Sequence, residues 1–380
     1  MPSGQFRPGY AALNARGELG ARAEILWEMM RRCRLCPADC RANRLSGEVG
    51  TCGATSRLVI AACHPHFGEE PALVGTSGSG TVFFSHCALR CAYCITRNIS
   101  EGGEGDSHSI DALADMMLDL QSRGCHNINL VTPAHHLAHI LFALDRAAAR
   151  GLRLPLVYNT SGWESEEILR FLDGVVDIYL ADFKYADSWM ASEYSCGAHN
   201  YPEITRAALL EMYRQVGTAR PAADGLVYRG LMVRHLVMPN GVAGSKQVFE
   251  WIASHLPQDT YVNVSAQYRP VHRAFDYPVI ARRPTVAEYN QAVQWAKEAG
   301  LTHLVTQAVG GHGVECWPDE RADGAEHAPL AAGQPLPQAV GAGQVLPLAV
   351  LRRQLRTPRD SPTQDQGRND GQRPPLSSTP

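Results

Sequence analysis

Short apolar runs alternate with amphipathic stretches along most of the chain. An apolar run at 81–85 predicts a buried strand. From residue 110 to residue 120 apolar positions recur at helical spacing, and Gly124 ends the pattern, which predicts an amphipathic helix with a glycine stop. The same alternation predicts further strands at 128–131, 156–159, 175–183, 231–238, 261–264 and 301–306. It predicts further helices at 21–32, 137–150, 201–217, 245–255 and 285–299.

Strands interleaved with helices over about 230 residues indicate an α/β fold with a parallel sheet. Six or seven strands are too few for a closed eight-stranded barrel, so the pattern alone leaves a doubly wound sheet open. After Trp317 no aromatic residue follows, and nine prolines lie beyond residue 320. Such a segment buries too little apolar surface to offset its ordering entropy. Residues 318–380 are therefore predicted to be a disordered, proline-rich tail.

Composition favours a large catalytic core in a reducing compartment. The chain has 380 residues, of which 45% are hydrophobic, and its net charge of −3 creates no field that would attract nucleic acid or an anionic membrane. No apolar run reaches the roughly 18 residues of a membrane span, and residues 1–16 lack the apolar stretch of a secretory signal. Eleven cysteines in such a chain indicate thiolate metal sites rather than disulfides. We therefore predict a cytoplasmic location, with neither a membrane nor nucleic acid as a partner.

Three cysteines after the strand at 81–85 form the most specific motif of the chain. Cys87, Cys91 and Cys94 follow the spacing C-x3-C-x2-C. Three thiolates can bind three irons of a 4Fe–4S cluster and leave the fourth iron open to a substrate. The loop past a strand's carboxyl end is also where α/β proteins carry their chemistry. A zinc loop or scattered structural thiols are the alternative.

A second set of cysteines precedes the predicted sheet. Cys33, Cys36, Cys40 and Cys52 offer four thiolates at short spacings. Such a set suits a structural zinc ion or an auxiliary Fe–S cluster. Four unligated thiols are the alternative reading.

Polar residues at predicted strand ends are candidates for ligand binding. Asp182 and Lys184 stand two apart, so an extended chain puts both on one face, where they suit the ammonium and carboxylate of a zwitterion. An ion pair that closes the barrel is the alternative. Asn159 and Ser161 end the third strand, where they either bind a ligand or form a turn. Six further residues are candidates for contact with a ligand or substrate, and packing or helix capping is the alternative for each. They are His135, His136, Arg234, His235, Gln267 and Tyr268.

At these residues the chain resembles the radical S-adenosylmethionine superfamily, and within it the pyruvate formate-lyase activating-enzyme-like branch. The resemblance extends from residue 33 to residue 309. The matching stretches are Cys33-Arg34-Leu35-Cys36-Pro37, Gly68-Glu69-Glu70-Pro71, Gly78-Ser79-Gly80-Thr81, Asn129-Leu130-Val131-Thr132-Pro133 and Tyr158-Asn159-Thr160-Ser161-Gly162. The chain departs from the family at Thr132-Pro133, where many members have Gly-Gly-Glu-Pro, and at Ile95-Thr96, where activating enzymes usually have Asn.

The resemblance implies a partial (β/α)6 barrel over residues 76–317, preceded by a helical and cysteine-rich extension at 1–75. It implies that the open iron binds S-adenosylmethionine, and that one electron cleaves this cofactor to methionine and a 5′-deoxyadenosyl radical that abstracts hydrogen. The residues that the resemblance assigns to the cofactor are Tyr93, Asn159, Ser161, Asp182 and Lys184. Gln267 is a further cofactor candidate because it follows a predicted strand.

The partners implied by the same resemblance are a flavodoxin- or ferredoxin-type electron donor and a glycyl-radical enzyme as substrate. Two alternatives stay open at this point. One is radical modification of a small molecule or RNA, although the chain lacks a basic stripe for nucleic acid. The other is a non-catalytic metal-binding scaffold.

Overall fold

The computed structural model describes residues 6–307, and in this part of the chain nine strands form one sheet. The strands are β1 (Leu58–His66), β2 (Ser79–Phe84), β3 (Asp106–His108), β4 (Ile128–Val131), β5 (Leu156–Thr160), β6 (Ile178–Asp182), β7 (Gly230–Leu236), β8 (Tyr261–Ser265) and β9 (Leu304–Thr306). The α/β class predicted from the alternating pattern is thus confirmed. The predicted tail, residues 318–380, lies outside the described residues.

The sheet is open, and most of its strands are parallel. Its spatial order is β3-β1-β2-β4-β5-β6-β7-β8-β9. From β2 onward each strand pairs in parallel with the next one, whereas β1 runs antiparallel to both β2 and β3. Because the parallel strands follow one another without a reversal of order, the sheet lacks the switch point of a doubly wound fold.

Helices connect the parallel strands, and others precede the sheet. They are α1 (Gly9–Ala15), α2 (Glu18–Met29), α3 (Pro71–Val74), α4 (Arg97–Ser100), α5 (Ile110–Ser122), α6 (Leu137–Ala149), α7 (Glu166–Arg170), α8 (Ser188–Tyr194), α9 (Tyr201–Val216), α10 (Ser245–His255) and α11 (Val286–Glu298). The bounds of β4 and α10 agree with the prediction. The short or polar elements β1, β3, α1, α3, α4, α7 and α8 were not predicted.

The two faces of the sheet have different neighbours. On one face Tyr179 donates its hydroxyl hydrogen to Gln215 of α9 at 2.7 Å, and His235 packs on Phe249 of α10. On the other face the short helix α3 inserts Leu73 into an apolar cluster of strand residues. The strand residues of that cluster are Val157, Ile178, Leu180, Met232 and Tyr261. Helix α3 therefore covers the second face of the sheet over these apolar residues. On the same face, polar residues occupy the carboxyl ends of the strands.

None of the helices in the described part of the chain is long and apolar enough to cross a membrane.

Candidate functional site

The three cysteines of the central motif lie in one tight loop between β2 and α4. Cys94 donates its backbone N–H to the carbonyl oxygen of Cys91 at 3.0 Å, which folds the loop back on itself. His86 and Arg90 adopt left-handed backbone conformations with φ of 76° and 41°. Non-glycine residues rarely do so, and such conformations concentrate at functional sites. The loop therefore brings Cys87, Cys91 and Cys94 together at the carboxyl end of β2.

Each of the three sulfurs receives a hydrogen-bond donor. Ser195 donates its hydroxyl hydrogen to Cys91 Sγ at 3.1 Å, and Ser100 donates to Cys94 Sγ at 3.2 Å. Two backbone N–H groups of the following turn point at Cys87. Donors of this kind stabilise the thiolate form, which is the form that binds metal. The environment of the loop thus suits three anionic sulfurs.

Burial disfavours the thiolate form of these cysteines while no metal cation is bound. Burial raises the pKa of the Cys87 thiol to about 12 and raises the pKa of Cys91, where the Lys184 ammonium acts in the opposite direction. A coordinated metal removes this penalty, because a thiol that binds a metal is deprotonated outright. The hydrogen-bond donors stabilise the three thiolates, and a bound cluster would supply the positive charge that their burial requires. This set of sulfurs and donors therefore fits an iron–sulfur cluster. In residues 6–307, no three His, Cys, Asp or Glu side chains are already arranged around a single metal ion.

Asp182 and Lys184 lie side by side at the end of β6, as their spacing predicted. Lys184 Nζ is 2.5 Å from Asp182 Oδ2, and Arg234 of β7 donates from Nε to Asp182 Oδ1 at 2.6 Å. Burial raises the pKa of Asp182, but Arg234 and Lys184 outweigh it and hold the pKa below its usual value. Both cations therefore keep Asp182 ionised in a largely buried position.

Glu69, which the sequence analysis did not assign to the site, completes this charge network. It accepts hydrogen bonds from Arg234 at 3.2 Å and from the side-chain amide of Asn159 at 2.7 Å. The same carboxylate accepts from Asn129 at 3.3 Å. The only sequence signal was its place in a matching stretch, Gly68-Glu69-Glu70-Pro71, just before α3. Two acids, Glu69 in the segment before α3 and Asp182 at the end of β6, thus both bind Arg234.

Tyr93 belongs to the cysteine loop itself and is buried. Its hydroxyl lies 2.7 Å from that of Tyr185, which lies 2.9 Å from the Ser195 hydroxyl that donates to Cys91. Its ring also packs against Tyr268, with centroids 5.5 Å apart. A hydrogen-bonded chain therefore joins Tyr93 to one of the three sulfurs.

The other cofactor candidates lie in two places. Asn159 belongs to the charge network described above, and Ser161 lines a small cavity together with Cys87. Gln267 is exposed in the loop after β8, and its backbone N–H donates to Ser265. Asn159 therefore lies in the charge network, Ser161 lies in the cavity beside Cys87, and Gln267 lies at the surface.

The candidate histidines differ in their environments. His135 lines the cavity with Cys87, and its Nε2 lies 2.6 Å from the carbonyl oxygen of Ser85. His136 is fully buried, and neither ring nitrogen has a partner among the described residues. His235 contacts Phe183 O and Ser245 Oγ through its two nitrogens, on the face of β7 opposite Arg234. Only His135 is thus in contact with the cavity.

That cavity lies where the N-terminal cysteines approach the loops after β2, β4 and β5. Its wall includes Cys36, Cys87, Thr132, Ser161 and Glu164. Burial raises the pKa of Glu164 to about 7, and its Oε2 has no hydrogen-bond partner in the described chain. The cavity is therefore lined by thiols from both cysteine sets and by one unpartnered carboxyl oxygen.

Comparison with known proteins identifies a relative but no activity. No family model matches the chain. The chain is 30% identical over 292 residues to the uncharacterized protein MJ0674 of Methanocaldococcus jannaschii, and the match covers 74% of this chain and 79% of that protein. The chain therefore belongs to the same protein family as MJ0674 of Methanocaldococcus jannaschii.

Proposed function

We propose that this protein is a radical S-adenosylmethionine enzyme. The observation that carries the proposal is the electrostatic effect of the charge network on the cysteine loop. Lys184, which is paired with Asp182, also stabilises the thiolate of Cys91 by its charge. The C-x3-C-x2-C spacing, the donors on all three sulfurs and this charged pair each agree with a cluster that has one open iron.

In this proposal Cys87, Cys91 and Cys94 hold the cluster. When bound, the cluster supplies one electron that splits S-adenosylmethionine into methionine and a 5′-deoxyadenosyl radical. Ser195 and Ser100 hold their sulfurs in the thiolate form through the hydrogen bonds at 3.1 Å and 3.2 Å.

The charge network binds the amino-acid end of the cofactor. Asp182 accepts from an ammonium group, and Lys184 and Arg234 supply positive charge to a carboxylate. Asn159 and Glu69 fix the Arg234 guanidinium, so that its position is set before the ligand arrives. The network therefore orients a zwitterion at low reorganisation cost.

The proposed fold is a partial (β/α)6 barrel, which agrees with an open sheet of consecutive parallel strands. The proposed substrate is a glycine on a glycyl-radical enzyme, and the proposed electron donor is a flavodoxin or ferredoxin. An open sheet supports this choice, because the gap between its edge strands would leave room for a protein loop.

Anaerobic iron reconstitution tests the cluster site. The wild-type protein is expected to gain about four irons per chain on the three cysteines, with visible cluster absorbance. Cys91→Ala is expected to lose this iron, because two thiolates cannot hold the cube. Cys125→Ala, a buried cysteine outside both sets, is the matched control and is expected to load like wild type. Equal iron content in wild type and Cys91→Ala would contradict the proposal.

A further inference from the structure

The N-terminal segment folds its four cysteines into a compact loop. Cys33 donates its backbone N–H to Ala42 O at 3.0 Å, and its carbonyl oxygen accepts from Arg41 N–H at 2.9 Å, which folds the first part of the loop back on itself. Asp39 and Arg41, on either side of Cys40, have φ of 41° and 59°. Left-handed conformations at two non-glycine residues cost free energy. Such strain is found mainly where the surrounding structure imposes it, often at ligand-binding sites.

Three of the four sulfurs receive a backbone N–H from the residue two positions later. Cys36 receives the N–H of Ala38, and Cys40 receives that of Ala42. Cys52 Sγ accepts from Ala54 N at 3.4 Å. A repeated donor at the same offset stabilises anionic sulfur, and protons leave such thiols when a metal binds.

The fourth sulfur lies beside a buried cation. Arg44 is fully buried and donates from Nη1 towards Cys33 Sγ at 3.8 Å. Its other donors go to the carbonyl oxygen of Thr55 at 3.0 Å and 2.7 Å. Among residues 6–307 it pairs with no carboxylate. Burial raises the pKa of the Cys52 thiol, and the charge of Arg44 opposes that rise. A buried guanidinium needs a negative partner, and the groups here that can supply one are cysteine sulfurs.

We propose that Cys33, Cys36, Cys40 and Cys52 bind one tetrahedral divalent ion of the zinc type, with Arg44 offsetting the charge of the four thiolates. The Cys33 and Cys40 thiols are within hydrogen-bonding reach of each other. Ligand sulfurs around a single zinc ion lie roughly 3.8 Å apart, since each Zn–S bond is about 2.3 Å long. Among the described residues no three of these sulfurs are already grouped around one metal position, so binding the ion would turn the cysteine side chains towards a common centre. This site does not depend on the function proposed above.

The ion would fix one wall of the cavity. Cys36 and Cys87 line that cavity together. A side chain at Gly53, next to Cys52, would begin 2.8 Å from His86 Nδ1 and 3.3 Å from Arg90 Nη2 of the cysteine loop. The loop of the four cysteines therefore lies directly against the loop of the other three. An ion that fixes the conformation of the first loop would also fix the position of the second.

Metal analysis of the full chain carrying Cys87→Ala, Cys91→Ala and Cys94→Ala isolates this site. Purified from zinc-supplemented cells, that protein is expected to hold about one zinc per chain. Adding Cys36→Ala and Cys52→Ala is expected to remove the zinc, whereas adding Cys125→Ala is expected to leave it. The absence of stoichiometric zinc, equal zinc with and without Cys36 and Cys52, or about four irons per chain would each overturn the single-ion site.

A second measurement applies if the variants that also lack Cys36 and Cys52 fail to fold. Cobalt(II) added to the chelator-treated triple variant is expected to give the visible absorption of a tetrahedral thiolate site, and an absence of those bands would overturn the proposal. In competition with a chelator, Arg44→Lys is expected to bind zinc about 10–100-fold more weakly, because Lys cannot make the paired contacts to Thr55 that hold its charge near Cys33. An unchanged affinity would contradict the part assigned to Arg44.

Discussion

At the scale of single residues, the site depends on charges that are largely withdrawn from water. Asp182 and Lys184 keep only 13% and 17% of their side-chain surface exposed, and Arg234 keeps 26%. Charges so placed are retained only when they are paired, and removing one partner of such a set is costly. The network contains two acids, Glu69 and Asp182, and two bases, Arg234 and Lys184, so it holds two charges of each sign.

Lys184→Met tests the assignment of this network to S-adenosylmethionine. Asp182 keeps its partner Arg234 in this variant, so we expect the protein to fold and to load iron normally. The loss of one charge-assisted hydrogen bond is expected to cost about 1.5–3 kcal/mol of binding, roughly tenfold or more in Kd for S-adenosylmethionine. Equilibrium binding to the reconstituted protein measures this change. Lys246→Met, an exposed lysine of α10, is the control, and wild-type affinity in both variants would leave Lys184 a structural residue.

Sequence spacing identified the residues of the site that are close along the chain. Asp182 and Lys184 are two apart on one strand, and the three cysteines occupy eight consecutive positions, so local geometry was enough. Glu69 meets Arg234 across 165 positions of sequence, and no periodicity encodes such a contact. The same limit applies to Ser195, which reaches Cys91 from the end of α8, 104 positions away.

At the scale of elements, the parallel strands were predictable because each carries its own apolar run. The antiparallel strand β1 was not, since it contains Pro65 and is mostly half-buried, so it has no clean alternation. Helix α1 was also missed. It is held in place by Asp177, which accepts from the backbone N–H of Gly9 and of Leu156, both at 3.0 Å. One buried carboxyl group therefore joins α1 to the start of β5.

Asp177 makes stability depend on pH. Burial raises its pKa from 3.8 to about 7, against the opposing effect of the two N–H donors. Between about pH 4 and pH 7 this carboxyl group is protonated more often in the folded protein than in the unfolded chain, so its contribution to stability falls as pH rises. The slope from this one group reaches at most about 1.4 kcal/mol per pH unit. Glu164, whose pKa burial also raises to about 7, acts in the same direction.

Urea unfolding at pH 5 and pH 7 measures that dependence. From pH 5 to pH 7 the free energy of unfolding of the wild type is expected to fall relative to that of Asp177→Asn, because the amide does not titrate. Buried histidines such as His135 and His235, whose pKa burial lowers, act in the opposite direction, but they do so in both proteins and cancel in this comparison. Asp276→Asn, at an exposed aspartate, should behave like wild type. An equal pH difference in wild type and Asp177→Asn would refute the role given to this carboxyl.

At the scale of the whole molecule, the N-terminal segment and the sheet share one packing surface. Helix α2 packs on α6, where Trp27 meets the rings of His139 and Phe142. Arg22 of the same helix donates to the carbonyl oxygens of Phe171 and Asp173 at 2.9 Å and 2.7 Å. The sequence indicated a cysteine-rich extension, but its position against the cysteine loop depends on contacts between distant segments. Both cysteine sets therefore meet at one cavity.

The formation of 5′-deoxyadenosine from S-adenosylmethionine tests the central claim most directly. Wild-type protein, reconstituted without oxygen and reduced with dithionite, is expected to release 5′-deoxyadenosine and methionine in equal amounts, slowly even without a substrate. Cys91→Ala is expected to release neither, while Cys125→Ala is expected to match wild type. If 5′-deoxyadenosine forms equally in wild type and Cys91→Ala, or in neither although the wild type carries its cluster, the assignment to radical chemistry is contradicted.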